Sequence, residues 1–291
     1  MNRLAAFLRE LKSPGNFLAA LFLALLVAGA LLAPWLAPHS PVAHSNERLI
    51  SPGADHLLGT DQFGRDIFSR LITGARVDLL VSFGAAALAA VLGVVIGLIG
   101  GTTKGFPRML AMRGIEVILA FPPIVFALLV VTLFGPGSLT LILTMGILFA
   151  PQFARVVYGE VLTISNLEYV QASRVMGSSS LRVLFLVILP GALPPVLVQL
   201  SMTVATSMLL SSGLSYLGLG VVPPTPSWGG MIAEGQAIMM TSPGLLFFSS
   251  AAVVATVLCF SVLADALEKS LDPRRSRKRG AVRQAPKATV A

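Results

Sequence analysis

The sequence of 291 residues predicts an all-α polytopic membrane protein with six transmembrane helices, and three observations carry that expectation. Apolar residues of the AVILMFWYC set make up 55% of the chain, and charged residues make up 12% where soluble domains have about 25%. Mean hydropathy is +0.84. Apolar runs of about 20 residues, the length that carries a helix across ~30 Å of hydrocarbon, recur from end to end. A soluble chain of this size buries only about three quarters of its surface, so this composition excludes a soluble globular enzyme. Cys259 is the single cysteine, which excludes an intramolecular disulfide framework and a cysteine-rich metal site.

The spans are expected near residues 17–37, 77–101, 116–134, 139–158, 193–219 and 244–264. Backbone polar groups in lipid must be satisfied within the segment, so each is read as a helix. The first span follows a basic stretch, as a signal peptide would. It is too long for one, and 34-PWLAPHSP is a poor cleavage site, so it reads as uncleaved. Six spans put both termini on one side. With the N-terminus inside, 17 of the 21 Lys and Arg lie inside, and Arg48, Arg65, Arg70 and Arg76 lie outside. The positive-inside rule therefore expects cytoplasmic termini. Much of that bias comes from 274-RRSRKR, a basic tail expected to be disordered and suited to anionic lipid, without the aromatic interleaving of a nucleic-acid binder.

Between the first two spans, residues 38–76 form an external segment that begins with Pro38, Pro41 and Pro52 and ends in 66-DIFSRLITGAR, read as a short interfacial helix. Asp61, Gly64, Arg65, Asp66 and Arg70 are its candidate residues, with Asp61–Arg65 and Asp66–Arg70 expected as i,i+4 pairs. They read as a structural brace, with contact to an external partner as the alternative. His39, His44 and His56 are too loosely spaced to argue for a metal shell. In the second span, Gly93 and Gly97 form a GxxxG pair, a signal for close helix packing. The third span holds Pro122 and Pro123 and is expected to kink. A short basic loop, 102-TTKGFPRMLAMRG, precedes it.

Residues 159–192 are too long for a simple turn. An amphipathic helix is expected from Glu160 to Met176, broken at Gly177, with a second apolar helix from Leu181 that Pro190, Pro194 and Pro195 end. Such a helix outside the bilayer either lies on the membrane or docks a soluble partner. The fifth span is polar for lipid, and Ser207, Ser211 and Ser215 are candidates for a pathway or outer gate. In the following Pro/Gly-rich loop, 220–243, Trp228 is expected at the outer interface and Glu234 at a re-entrant turn or pathway wall.

Residues 159–192 resemble the cytoplasmic signature of permeases from binding-protein-dependent ABC importers: EAA, three residues, Gly, nine residues, then I-x-L-P. The matching positions are Gln171-Ala172-Ser173, Gly177 and Val187-Ile188-Leu189-Pro190. Glutamine stands where the family has glutamate, which removes one charge from the expected contact. The blocks 58-LGTDQFGRDIFSRLITGARVDL, 168-EYVQASRVMGSSSLRVLFLVILP and 214-LSYLGLGVVPPTPSWGGMI are similar to the second permease of the dipeptide, oligopeptide and nickel branch. The resemblance covers most of residues 14–273.

It implies a type I importer permease fold in the bacterial inner membrane, in three parts. These are 1–76 (tail, first helix, external segment), 77–273 (permease core with coupling loop 159–192) and the tail 274–291. It also implies a heterodimer with a homologous permease, two cytoplasmic ATPases and an external or periplasmic binding protein. The ATPase-facing residues would be Leu167, Glu168, Val170, Gln171, Ala172, Ser173, Gly177, Leu189 and Pro190, with the contact surface at Leu167, Val170, Gln171 and Ala172. No GxxxxGK[ST] run is present, so the chain is not expected to be an enzyme or to bind a cofactor. ATP and Mg would sit on the partners. The substrate is expected to be a di- or oligopeptide. Nickel, glutathione or another solute is the alternative within the family, and an ATPase-free secondary transporter is the alternative of another class.

Overall fold

The computed structural model describes residues 10–271, so the basic tail 274–291 lies outside the described residues. Every regular element among them is helical. In order they are α1 Pro14–Leu31, α2 Ala33–Leu36, α3 Ile67–Thr102, α4 Phe106–Leu119, α5 Pro123–Phe134, α6 Ser138–Ser165, α7 Glu168–Val175, α8 Ser180–Val183, a π-helical turn Leu184–Ile188, α9 Leu189–Tyr216, α10 Trp228–Ala237 and α11 Gly244–Leu271. Five continuous helical stretches among the described residues are long and apolar enough to cross a membrane, or six if the bent pair α4–α5 is counted as one broken span.

Small residues decide which helices meet. α3 presents Ala85, Ala89, Gly93 and Gly97 to Phe149, Phe153 and Val157 of α6. A Cβ on Gly97 would stand 2.7 Å from the Ala154 carbonyl, and one on Gly93 would overlap Phe153. With no hydrophobic drive between helices in lipid, such close approach is what holds them. The expected GxxxG packing is therefore present, and α6 is the central helix. A second core joins α1, α3, α9, α10 and α11 through Leu23, Leu79, Met208, Trp228, Met231 and Phe260. α1 sits at the edge, with Phe17, Leu18 and Leu25 exposed for lipid.

Four sequence expectations change. The interfacial helix 66–76 and the second span are one helix of 36 residues, because nothing in 67–102 breaks it. Glycines inside an apolar, packed helix cost less than opening the backbone in lipid. The third span is not merely kinked: α4 and α5 meet at 90° around Pro122 and Pro123. The helix expected over 160–176 is two, divided at Asn166–Leu167 between α6 and α7. Finally, Pro190, Pro194 and Pro195 do not end the helix that follows. In the π turn the Leu189 N–H donates to the Leu184 carbonyl, five residues back. That wider turn lies one residue before Pro190, whose ring and missing N–H would break a regular ladder.

Candidate functional site

The sequence candidates gather at opposite ends of the bundle. At one end, α10 packs against the start of α3 and the loop before it. Asp61 is fully buried and its Oδ2 accepts from Arg65 Nε (2.7 Å) and from Arg70 Nη1. Its Oδ1 accepts the backbone N–H groups of Phe63 (2.8 Å) and Arg65 (3.0 Å). Glu234, reaching in from α10, accepts from Arg65 Nη2 at 2.6 Å and from Arg70 Nη1 at 2.7 Å. Two carboxylates and two guanidinium groups thus balance in a largely dry setting, where losing one partner is costly. The Asp61–Arg65 pair is as expected. Arg70 does not pair with the Asp66 carboxylate but with Asp61 and Glu234. Asp66 is instead the N-cap of α3, its Oδ2 accepting from Ser69 N (2.8 Å) and Ser69 Oγ (2.7 Å). A capping carboxylate points back along the helix start, away from a side chain four residues on. Gly64 turns the 60–66 loop with φ +73°, and its carbonyl accepts from Ser45 Oγ at 2.8 Å.

His56 sits between two acids: Nδ1 faces Asp66 Oδ1 at 2.9 Å and Nε2 faces Glu47 Oε2 at 3.2 Å. The Asp66 hydrogen bond raises its pKa, burial opposes this, and Glu47 adds to the rise. Burial pushes the Asp66 carboxyl up, but its bonds to Ser69 and His56 outweigh that and hold it below the usual carboxylate range. Ligand atoms of His39, His56 and Asp66 lie within 4.8 Å of one another. Both ring nitrogens of His56 already meet carboxylates, and Ser69 occupies the second oxygen of Asp66, so the set works as a hydrogen-bonded brace.

Trp228, expected at the outer interface, is buried: its N–H groups donate to Asp78 Oδ2 (2.8 Å, backbone) and to the Leu71 carbonyl (2.9 Å, indole). Its ring fills the space over Gly74. Asp78, buried and holding the start of α10 by accepting the Trp228 backbone N–H, is a residue that the sequence reading passed over. A lone acid at the start of an apolar run was the available signal. Ser207, Ser211 and Ser215 are buried within the bundle, with Ser211 Oγ donating to the Met208 carbonyl and Ser215 Oγ accepting from the Val221 N–H.

At the other end, α7 stands off the bundle on one anchor. Val170, expected on the contact surface, is fully buried in the core cluster that includes Ile164, Val183 and Ile188. A fully buried β-branched apolar side chain, the one buried residue of this eight-residue helix, is what ties it down. Leu167, Glu168, Gln171 and Ala172 are exposed and Ser173 is half-buried. Tyr169, Val175 and Met176 are exposed as well, the last two at 89% and 79%. Gly177, with φ +83°, closes the helix: its N–H donates to the Arg174 carbonyl and Ser178 N–H to the Ser173 carbonyl. That is a Schellman ending, which the left-handed glycine makes possible. Leu189 and Pro190 lie just past the π turn, one half-buried and one exposed. This end offers an amphipathic surface that no other described residue covers.

The profile of the family described as "Binding-protein-dependent transport system inner membrane component" matches residues 93–277. The chain is 37% identical over 258 residues to the glutathione transport system permease protein GsiD of Pectobacterium atrosepticum, covering 88% of this chain and 86% of that one. It is 34% identical over 261 residues to the di/tripeptide transport system permease protein DppC of Pseudomonas aeruginosa, covering 87% and 86%. Among solved structures it is similar to the MetNI methionine ABC transporter in inward facing conformations, with TM-score 0.57 and 19% identity over 70% of this chain and 97% of that chain. It is also similar to an amino acid ABC transporter, with TM-score 0.55 and 20% identity over 70% and 95%. The two solved structures speak for the fold alone.

Proposed function

The chain belongs to the family of inner membrane components of binding-protein-dependent transport systems and is a multi-pass, non-catalytic permease subunit of an ABC importer; from that premise we propose that it passes di- or oligopeptides. Its relatives named for di/tripeptide and glutathione transport support this class, since glutathione is itself a tripeptide. Glutathione is the second reading, on the 37% identity to its permease. Nickel stays an alternative within the family, and family membership sets aside the ATPase-free secondary transporter.

The partners we propose are a homologous permease, two cytoplasmic ATPases that bind and hydrolyse ATP with Mg, and an external binding protein. One observation carries the ATPase contact: α7 is held to the bundle by Val170 while Tyr169, Val175 and Met176 have no cover. Apolar side chains this exposed at a bundle end fit a protein surface better than water. Movement of the ATPases would press on α7, and the stiff α6–α9 core would pass that on as a rearrangement between two access states. The excess of Lys and Arg in the segments at the α7 end supports a cytoplasmic location for that end and for both termini. The buried ion network would then face outside, where the binding protein delivers.

ATPase activity of the reconstituted transporter with its binding protein tests this. Stimulation by di- and tripeptides is expected. Stimulation by nickel alone would overturn the substrate class while keeping the architecture.

A further inference from the structure

On α6, toward the end from which α7 emerges, lies an opening between α4 and α6 that the ion network does not use. Its volume is about 520 Å³, and Arg108, Met112, Arg113, Glu116, Arg155 and Tyr158 line it. Three guanidinium groups face one carboxylate there. Arg113 pairs with Glu116 at 2.8 Å, and Arg108 donates to the Tyr158 hydroxyl and lies over its ring, 5.3 Å from the centroid. Arg155 has no hydrogen-bond or ion-pair partner among the described residues. The cavity therefore carries an excess of two positive charges and a set of donors that lack an acceptor.

Its height and its rim say what kind of anion fits. α6 begins at Ser138, and a helix rising 1.5 Å per residue covers ~30 Å of hydrocarbon in about 20 residues, which reaches Tyr158. Arg155 and Tyr158 thus fall at the level of lipid headgroups. The rim is α4, which turns 90° away from α5. Its arginines alternate with Phe106, Met109, Leu110 and Val117, all exposed, the pattern of a basic helix lying in a membrane interface. Its seat is written into the sequence, because the Met112 methyl occupies the space left where Gly100 of α3 has no Cβ. A soluble anion would gain nothing from that apolar rim, whereas acyl chains would lie along it.

We propose that this cavity binds the phosphate headgroup of an anionic membrane lipid, held by Arg155 with Arg108 and Arg113. Guanidinium groups match phosphate oxygens in paired hydrogen bonds, and basic pockets between helices at this depth take such headgroups. A bound lipid would pin α4 to α6, the helix that leads into α7.

Native mass spectrometry of the full chain in detergent tests the assignment, with phosphatidylglycerol, phosphatidylcholine and inorganic phosphate in separate arms. Retention of phosphatidylglycerol but not phosphatidylcholine is expected. Arg155→Gln should weaken it about fivefold, the effect of one cation near the membrane surface, while Arg155→Lys keeps most of it. Arg174→Gln, on α7 and outside the cavity, should change nothing. Should Arg155→Gln fail to fold, Arg113→Gln, at an exposed side chain, is expected to show a similar loss with melting unchanged. Equal retention of both lipids, or indifference to both glutamine variants, overturns the proposal. Displacement of the lipid by inorganic phosphate at matched concentration assigns the cavity to a soluble phosphate and also overturns it.

Discussion

The two ends of this bundle use charge and apolar surface in opposite ways. Where α3 meets α10, Asp61, Arg65, Arg70 and Glu234 neutralise one another, and Trp228 is fully inside. Where α7 emerges, Val175 and Met176 are almost bare, and a single buried valine holds the helix. One end satisfies its charges within the chain, and the other leaves large apolar side chains uncovered. If the proposed ATPases press on α7, the closed end would resist while the open end moves.

Arg70→Ala should have the largest effect. It strips a shared partner from Asp61 and Glu234, and breaking a buried pair of this kind costs about 3–5 kcal/mol. A fall in melting temperature of the purified chain checks it. An unchanged melt would mean that this end is as loosely held as the other.

Val170→Asp and Val175→Asp separate anchor from surface on one helix. A carboxylate at Val170 enters a fully buried site and should cost about 2 kcal/mol or more, releasing α7 from the core. At Val175 it stays in water, so melting should hold while substrate-stimulated ATPase activity falls. Identical behaviour of the two variants would break the distinction drawn here.

Gly177→Val is a smaller perturbation. A Cβ meets nothing within 4 Å at this position, so the left-handed φ alone opposes the substitution, at about 1–2 kcal/mol. Gly177→Asn should recover most of the ATPase coupling, because asparagine tolerates that conformation. If valine couples as well as glycine, the Schellman ending is not what sets the angle of α7.

The smallest effect is that of pH on the closed end. His56 has its pKa raised by Asp66, so its contribution is fully present below the ordinary histidine value and lost as pH rises through the raised one. Asp66 is lowered, so its contribution is present above the usual carboxylate value and lost as pH falls through the lowered one. The melting difference between wild type and His56→Gln should therefore shrink as pH climbs above the raised histidine value. A constant difference across neutral and mildly alkaline pH would remove His56 from the brace.

Much of this was legible along the chain. Apolar run length marked the spans, Gly93 and Gly97 announced a close helix contact, and Gly177 followed by serines marked the end of α7, because each depends on residues near in sequence. Asp61–Arg65 was readable for the same reason. Arg70 was not, since its partners Asp61 and Glu234 come from a folded loop and from a helix 164 residues away. The prolines misled because a π turn just before Pro190 lets the chain continue as a helix, and Pro194 and Pro195 are then carried inside α9 rather than ending it.

The sequence by itself determined a helical membrane protein, because hydrocarbon thickness and backbone satisfaction leave few alternatives to long apolar helices, and its resemblance at residues 159–192 pointed to an importer permease. Only the tertiary structure decided that Trp228 goes inside, that Val170 is an anchor, and that Glu234 closes an ion network. Those roles depend on which distant groups share a low-dielectric space, and periodicity along one chain carries no distance between them.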